Sequence, residues 1–443
     1  MKERPVVTGE IYTIEITSLT SSGDGVGRID GFAIFVGKAL PGEVVQAKVF
    51  QVKKRFARAK LISIIHRSDH RQKPPCKFFG KCGGCQIMHL DYGEQLKVKH
   101  HKVVEAFERI GHLENIPIDE CVPSPQQTHY RNKVMMPVVY NRCNQKIGFY
   151  GKGTHQVIDI DSCLIHNDLG NQVLHTIRQI VTPSNHEVEQ IVIKTSIHTQ
   201  QVLVILISSL IKSQELENLA KEIIVECPWV QGILQNIPPH NGKSTFGKKW
   251  KTLAGKPRIE EKLCGLVFEI SGASFFQVNT FQAEQLYQDV IKAAAINSSS
   301  VVLDAYCGVG TLSLIASKHA KYVYGIEVVP EAIRDANVNA EKNGIQNCTF
   351  ECGLTEHLIE KYTHVDVVFL NPPRQGCDER VINCLLSVSP EKIVYVSCDP
   401  TTLARDLALL RKGYTIDFVR PYDMFPQTTH VETVAILHAT KHQ

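Results

Sequence analysis

From about Phe275 onward the chain alternates short apolar runs with stretches of helical periodicity, and few architectures satisfy that alternation. A helix at TFQAEQLYQDVIKAAAI precedes a strand at Val301–Asp304, and another helix starts near Leu312. Then follow the strand YVYGIE, a helix over 330–343, the strands NCTFEC and VDVVFLN, a helix near 378–388, the strand KIVYVSC and a helix over 400–411. Parallel strands need long crossovers, and helices supply them, so the pattern predicts an α/β fold with a doubly wound, mostly parallel sheet. Ligands of such sheets bind at the carboxyl ends of the strands.

Upstream, residues 8–65 change period. Short runs alternate apolar and polar residues and are broken by glycine (GEIYTIEITSL, SSGDGVGRIDG, FAIFVGKAL), which predicts a small antiparallel barrel. In its Gly25-Val26-Gly27-Arg28 turn and Ala39-Leu40-Pro41-Gly42-Glu43 link, this segment resembles the TRAM domain, an OB-like RNA-binding barrel. Pro74-Pro75 ends it, a helix is expected from about Gly93 to Gly111, and mixed strands and helices follow to about Ile270. Tyr130-Arg131-Asn132-Lys133 is expected to open a strand suited to holding RNA. A chain of 443 residues is too long for one ordinary core. We therefore expect a barrel at 1–66, a mixed α+β central domain at 67–273, and a Rossmann-like catalytic domain at 274–443.

Hydrophobic content of 43% with 21% charged residues is that of a soluble globular protein. The N-terminal residues lack an apolar signal-peptide core, and the longest apolar run, Gln201–Leu210, is too short to span a bilayer, so a cytoplasmic protein with no membrane partner is expected. No obligate protein partner is evident. Charge is segregated. Between Val44 and Lys81 eleven Lys or Arg residues face a single acid, Asp69, although the whole chain is only +4. A polyanion-binding face needs such segregation, because phosphate neutralisation supplies much of nucleic-acid affinity.

Four strand ends carry chemistry-bearing residues. Asp304-Ala305-Tyr306-Cys307-Gly308-Val309-Gly310-Thr311 turns the first strand into a helix, and its glycines let backbone approach a ligand. Glu327 ends the next strand, where a carboxylate can accept both hydroxyls of a ribose. No third glycine completes a dinucleotide fingerprint, which favours S-adenosylmethionine over NAD. Asn371-Pro372-Pro373-Arg374-Gln375-Gly376 forms a rigid turn expected at the same crevice. Cys398, in Ser397-Cys398-Asp399-Pro400, precedes a helix, whose N-terminus is expected to lower the thiol pKa. Glu432 stands beside the apolar run VAILHA, as either a desolvated general base or a solvent-facing strand residue.

Fourteen cysteines in a chain of this type point to metal or catalytic use for a few and ordinary burial for most. Cys76, Cys82 and Cys85, with Cys163, offer four thiolates, which suit either a [4Fe–4S] cluster or a closed zinc site. Spacing leaves Cys121 and Cys143 as alternative fourth ligands.

The order Ser-Phe-Phe-Gln-Val-Asn (274–279), Asp-Ala-Tyr-Cys-Gly-Val-Gly (304–310), Asn-Pro-Pro-Arg-Gln-Gly (371–376), Ser-Cys-Asp-Pro-Thr-Thr-Leu-Ala-Arg-Asp (397–406) and Asp-Met-Phe-Pro-Gln-Thr-Thr-His-Val-Glu (423–432) resembles the RNA uracil-C5 methyltransferases, in the branch with a TRAM barrel and a cluster. The resemblance covers essentially the whole chain. It implies that Cys398 is the nucleophile and Glu432 the base, and that Gln277, Tyr306, Thr311, Glu327 and Asn371 line an S-adenosylmethionine site. It also implies that Cys76, Cys82, Cys85 and Cys163 bind a [4Fe–4S] cluster, and that the product is 5-methyluridine in RNA, with 23S rRNA ahead of tRNA. Two positions depart from the family pattern: Asn371 stands where Asp is usual, and Thr311 where Asn is frequent. A radical S-adenosylmethionine enzyme would need a Cys-x3-Cys-x2-Cys triad, absent here. An exocyclic-amine methyltransferase would end Asn-Pro-Pro with an aromatic residue rather than Arg374, and intact reacting residues speak against a non-catalytic RNA-binding paralogue.

Overall fold

Alternation of inward apolar residues closes the N-terminal segment into a five-stranded barrel. The structure, a computed structural model, describes residues 4–141, 144–182, 187–211, 213–239 and 246–440. Strands β1 (Ile11–Leu19), β2 (Asp24–Ile29), β3 (Phe32–Gly37), β4 (Val44–Val52) and β5 (Phe56–His66) close in the order β1-β2-β3-β5-β4. Every second side chain, including Ile14, Ile16, Ile34, Val36, Val45 and Ala57, fills the interior. Gly27 belongs to this closure, because a Cβ there would meet Ile14 Cγ2 at 2.3 Å and Glu15 O at 2.4 Å. The barrel is not wholly antiparallel as expected: β3 and β5 pair in parallel. A ring with an odd number of strands cannot alternate direction at every pair.

After helix α1 (Tyr92–Ala106) come β6 (Lys133–Tyr140), β7 (Gln145–Tyr150), β8 (Val157–Asp159), α2 (Asp168–Ile180), β9 (Gln190–Thr195), β10 (Val202–Ile207), α3 (Gln214–Glu226), β11 (Val230–Ile237) and β12 (Lys249–Gly255). These strands form one sheet in the order β12-β11-β10-β9-β6-β7-β8. The long apolar run of the sequence is β10, buried on both faces. Helices α2 and α3 cover one face. On the other, Leu203, Ile205 and Leu234 share a core with the hairpin β13 (Arg258–Leu263) and β14 (Leu266–Ser271).

The C-terminal layer runs α4 (Thr280–Ala294), β15 (Val301–Asp304), α5 (Thr311–Ser317), β16 (Tyr322–Glu327), α6 (Pro330–Lys342), β17 (Cys348–Cys352), α7 (Thr355–Leu358), β18 (Val367–Leu370), α8 (Glu379–Val388), β19 (Lys392–Ser397), α9 (Pro400–Leu410), β20 (Tyr414–Tyr422) and β21 (Glu432–Ala439). Its order, β17-β16-β15-β18-β19-β21-β20, is the expected doubly wound sheet, parallel as far as β19. Winding reverses between β15 and β18, and a crevice opens at such a switch point. Among the described residues no helix is long and apolar enough to cross a membrane.

Helix α1 locks the last loop of this sheet. Asp91 caps it by accepting from Glu94 N. Gln95, Lys99 and Val103 recur at i, i+4 and i+8, so one buried face looks toward residues 423–430. Lys99 pairs with Asp423, both side chains fully buried, and its Nζ also donates to Phe425 O at 3.0 Å. Gln95 Nε2 donates to Gln427 Oε1 at 3.1 Å, and Gln427 N returns a bond to Gln95 Oε1 at 3.0 Å. Removing one partner of a buried ion pair leaves an uncompensated charge. Lys99→Ala should therefore lower the unfolding free energy by about 3–5 kcal/mol, measured by urea denaturation.

Candidate active site

Strand register brings Cys398 and Glu432 together. In the antiparallel pair β19–β21 the last partners are Ser397 and Thr433, so the next residue on β19's side is Cys398, and on β21's side Glu432. Both line a crevice of about 960 Å³ at the carboxyl edge of the sheet. Gln277, Tyr306, Thr311, Glu327 and Asn371 line the same crevice, so all seven residues singled out for catalysis and cofactor binding converge.

The wall around Glu327 is built on backbone amides. Gly308 N donates to Glu327 Oε2 at 3.1 Å and Val329 N to Oε1 at 2.9 Å, which orients the carboxylate and leaves lone pairs on both oxygens. Beneath the glycine turn, burial raises the Asp304 carboxyl to about 6, and Ser313 Oγ donates to it at 2.6 Å. Gln277 bonds the Tyr287 hydroxyl, and its backbone O accepts from Asn132 Nδ2 at 2.9 Å. Asn132 N donates to Val278 O at 2.8 Å. Tyr130 and Asn132 are thus buried anchors, Tyr130 donating to Pro426 O at 3.0 Å, rather than the RNA-facing residues their motif suggested.

Glu432 is 3% exposed, and burial pushes its carboxyl up to about 7, against a smaller opposing pull from Arg374. Glu432 is therefore not a solvent-facing strand residue. The Cys398 thiol behaves differently from expectation. It precedes the N-terminus of α9, yet burial first, and the nearby Glu432 second, raise its pKa. Desolvation outweighs the helix end here. Arg374 is the cation that lowers both groups, a role that its sequence motif does not announce. His430, also on the crevice wall, was missed. Burial, then Lys102 and Arg374, lower its pKa to about 4, so it faces the site as a neutral ring at neutral pH. Its only sequence signal is its place two residues before Glu432.

Cys76, Cys82, Cys85 and Cys163 line a second cavity, of about 400 Å³, with Phe79, Met88 and Ile165 among its walls. Burial raises the Cys85 thiol, with further contributions from the other three sulfurs, which shows their mutual proximity. Among the described residues no three His, Cys, Asp or Glu side chains converge tightly enough to hold one metal ion. Cys121 is not with them: it is buried in the core that α1 shares with α9. Cys143 lies outside the described residues. Arg374, Phe425 and His430 wall both cavities, so the cysteine site abuts the reaction crevice.

Residues 91–440 match the family model described as tRNA (uracil-5-)-methyltransferase, and residues 5–62 match the TRAM domain. The chain is 41% identical to an uncharacterised RNA methyltransferase of Clostridium acetobutylicum, over 98% of each chain. It is 40% identical to one of Staphylococcus aureus, over 98% of this chain and 99% of that relative. Among solved structures, the tRNA (uracil-54, C5)-methyltransferase of Pyrococcus abyssi in complex with S-adenosyl-L-homocysteine aligns with a TM-score of 0.76 at 26% identity, covering 96% of this chain and 100% of that one.

The raised carboxyl has a consequence that needs no substrate. Below its ordinary value of 4.5, Glu432 is neutral in both the folded and unfolded chain. Between 4.5 and about 7 only the unfolded chain ionises, so the favourable protonated contribution is lost as pH rises through about 7. Glu432→Gln mimics the neutral form at every pH. Its Tm should exceed the wild-type Tm at about pH 8, with the gap closing toward about pH 5. A pH-independent gap would contradict the burial assigned to Glu432.

Proposed function

The chain belongs to the tRNA (uracil-5-)-methyltransferase family, and from that premise we propose that it converts a specific uridine of RNA to 5-methyluridine where Cys398 meets Glu432. The observation that carries this reading is a buried carboxyl poised near 7 beside a cysteine at the edge of one crevice.

Uracil C5 is a weak nucleophile. Cys398 Sγ, once deprotonated, bonds to C6 and makes C5 enolate-like. S-adenosylmethionine supplies an electrophilic methyl group, and C5 takes it, leaving S-adenosylhomocysteine. Glu432 then removes the C5 proton, the C6–S bond breaks, and the thiolate is regenerated. A proton acceptor with a pKa near the working pH suits that step. Arg374 favours the anionic forms of both reacting groups and so offsets the burial that opposes them. The target uridine must leave any stack to enter the crevice.

Gln277, Tyr306, Thr311, Glu327 and Asn371 would hold the methyl donor. Glu327 has lone pairs for the ribose hydroxyls, and Asn371 retains an acceptor oxygen at the end of β18. The complex of the Pyrococcus abyssi enzyme with S-adenosyl-L-homocysteine supports this ligand. In the proposed division of labour, residues 1–66 and 67–273 hold RNA and residues 274–443 carry out the reaction.

Cys76, Cys82, Cys85 and Cys163 would ligate a [4Fe–4S] cluster. One cavity holds all four thiols, and four thiolates suit such a cluster. Methyl transfer here moves no net electrons, so the site would shape the RNA-facing wall. For the substrate, 23S rRNA is the first reading, on the resemblance to the cluster-bearing branch. The name of the Pyrococcus abyssi enzyme favours tRNA as the second. Sequencing 5-methyluridine in rRNA and tRNA with and without the gene decides between them.

Two outcomes test the reaction and its neighbour. Cys398→Ala should neither methylate RNA nor become linked to 5-fluorouridine RNA, whereas Glu432→Gln should accumulate a methylated covalent adduct on ordinary RNA, visible in a denaturing gel. Wild-type turnover by Cys398→Ala would overturn the mechanism. Protein purified anaerobically should carry about four irons per chain. Stoichiometric zinc without iron after anaerobic reconstitution would contradict the cluster.

A further inference from the structure

A third cavity, of about 500 Å³, has no part in the chemistry above. Four separate segments build it: Ser21–Ser22 of the barrel, Gly83–Gly84 of the cysteine loop, Phe149–Gly153 at the β7–β8 turn, and Thr429–His430. His430 lines this groove and also the crevice, and Gly83, Gly84 and Phe149 line both the groove and the cysteine cavity. Its parts are fastened to one another. Thr429 Oγ1 donates to Ser21 O at 2.6 Å, which ties the barrel to the loop that precedes Glu432 by three residues. Gly83 N donates to Tyr150 O at 2.9 Å and Lys152 N to Lys81 O at 3.2 Å, which clips the β7–β8 turn to the cysteine loop. Gly83 permits that approach, since a Cβ there would sit 3.0 Å from Tyr150 O.

On this frame stands a half-exposed aromatic ring. Tyr150 is 46% exposed, and His155 meets it edge-on, with ring centres 5.8 Å apart. One lysine, Lys152, lines the groove, and another, Lys81, belongs to the loop bonded to it. Lys81 is exposed, and Lys152 Nζ reaches Asp24 Oδ1 at 2.7 Å from a side chain that is 44% exposed. Exposed aromatic rings beside basic groups are what single-stranded nucleic acid stacks on.

We propose that this groove is a subsite for the nucleotide flanking the target uridine, and that Tyr150 is the platform on which that nucleotide's base stacks. The assignment rests on the uridine-methylating reading. A polynucleotide whose one base enters the crevice must leave it as a continuous chain, and His430 is the wall that the crevice and this groove share. Lys81 and Lys152 meet its phosphates. Tyr150 therefore acts on RNA affinity and base selection and takes no part in bond making.

The test compares Tyr150→Ala, Tyr150→Phe and wild-type enzyme. On an RNA the wild type methylates, Tyr150→Ala should raise KM for RNA roughly 5- to 150-fold, the factor equivalent to the stacking of one base, while kcat at saturating RNA stays near wild type. Tyr150→Phe keeps the ring and should restore KM. All three proteins should bind S-adenosylhomocysteine equally and share one Tm, because the side chain is half exposed. Fluorescence anisotropy with a uridine-rich single-stranded RNA of about 20 nucleotides should show the same loss of affinity, independent of turnover. Equal RNA affinity in Tyr150→Ala and wild type would overturn the subsite. A stacking loss in a protein that forms no 5-methyluridine would overturn the proposed reaction alone.

Discussion

The buried pair between Lys99 and Asp423 is the constraint on which the site's geometry rests. Its two residues lie on α1 and at the start of the loop that carries Phe425 and His430 and leads into Glu432 at the head of β21. Such a pair is costly to desolvate, and its strength depends on geometry and added hydrogen bonds. Here Lys99 also bonds Phe425 O, Lys102 Nζ bonds Thr429 O at 3.0 Å, and Gln95 and Gln427 bond reciprocally. Gln427 itself sits at φ 71°, an uncommon conformation for a residue with a side chain, held in place by these contacts. The loop's course is fixed from outside the sheet it joins. Glu432 can then be placed opposite Cys398 by strand register alone.

Burial acts on Cys398 and Glu432 in the same direction. It raises the carboxyl, which is useful to a base near neutral pH, and it raises the thiol, which opposes thiolate formation. Mutual proximity adds to the second effect. The compensating positive charge comes from Arg374, at the turn after β18. That turn is itself positioned by Asp406 on α9, which accepts from Cys377 N at 2.8 Å and from the Tyr395 hydroxyl at 2.6 Å. The helix after the cysteine thus contributes by holding the arginine's loop.

How legible this was in the sequence depended on range. The alternating strands and helices after Phe275, the barrel's period of two, and the carboxyl-end positions of Asp304, Glu327 and Asn371 follow from local patterns, and the structure has them. The parallel β3–β5 pair follows from ring closure, which no local pattern encodes. The anchoring of residues 423–430 by α1 joins residues more than three hundred positions apart, and nothing in either segment announces the other. Tyr130 and Asn132 illustrate the same limit: their motif was visible, but only packing shows them turned inward. The thiol's direction was misjudged because a helix N-terminus is readable in sequence, whereas the depth of a wall is not.

The proposed chemistry turns on one atom of the substrate, uracil C5, losing a proton as it gains a methyl group. RNA transcribed with uridine tritiated at C5 reads this directly. One tritium released to water for each methyl group incorporated is the result expected of Cys398 and Glu432 acting as assigned. Methyl incorporation with the tritium retained in the RNA would place the methyl on another atom and contradict those assignments.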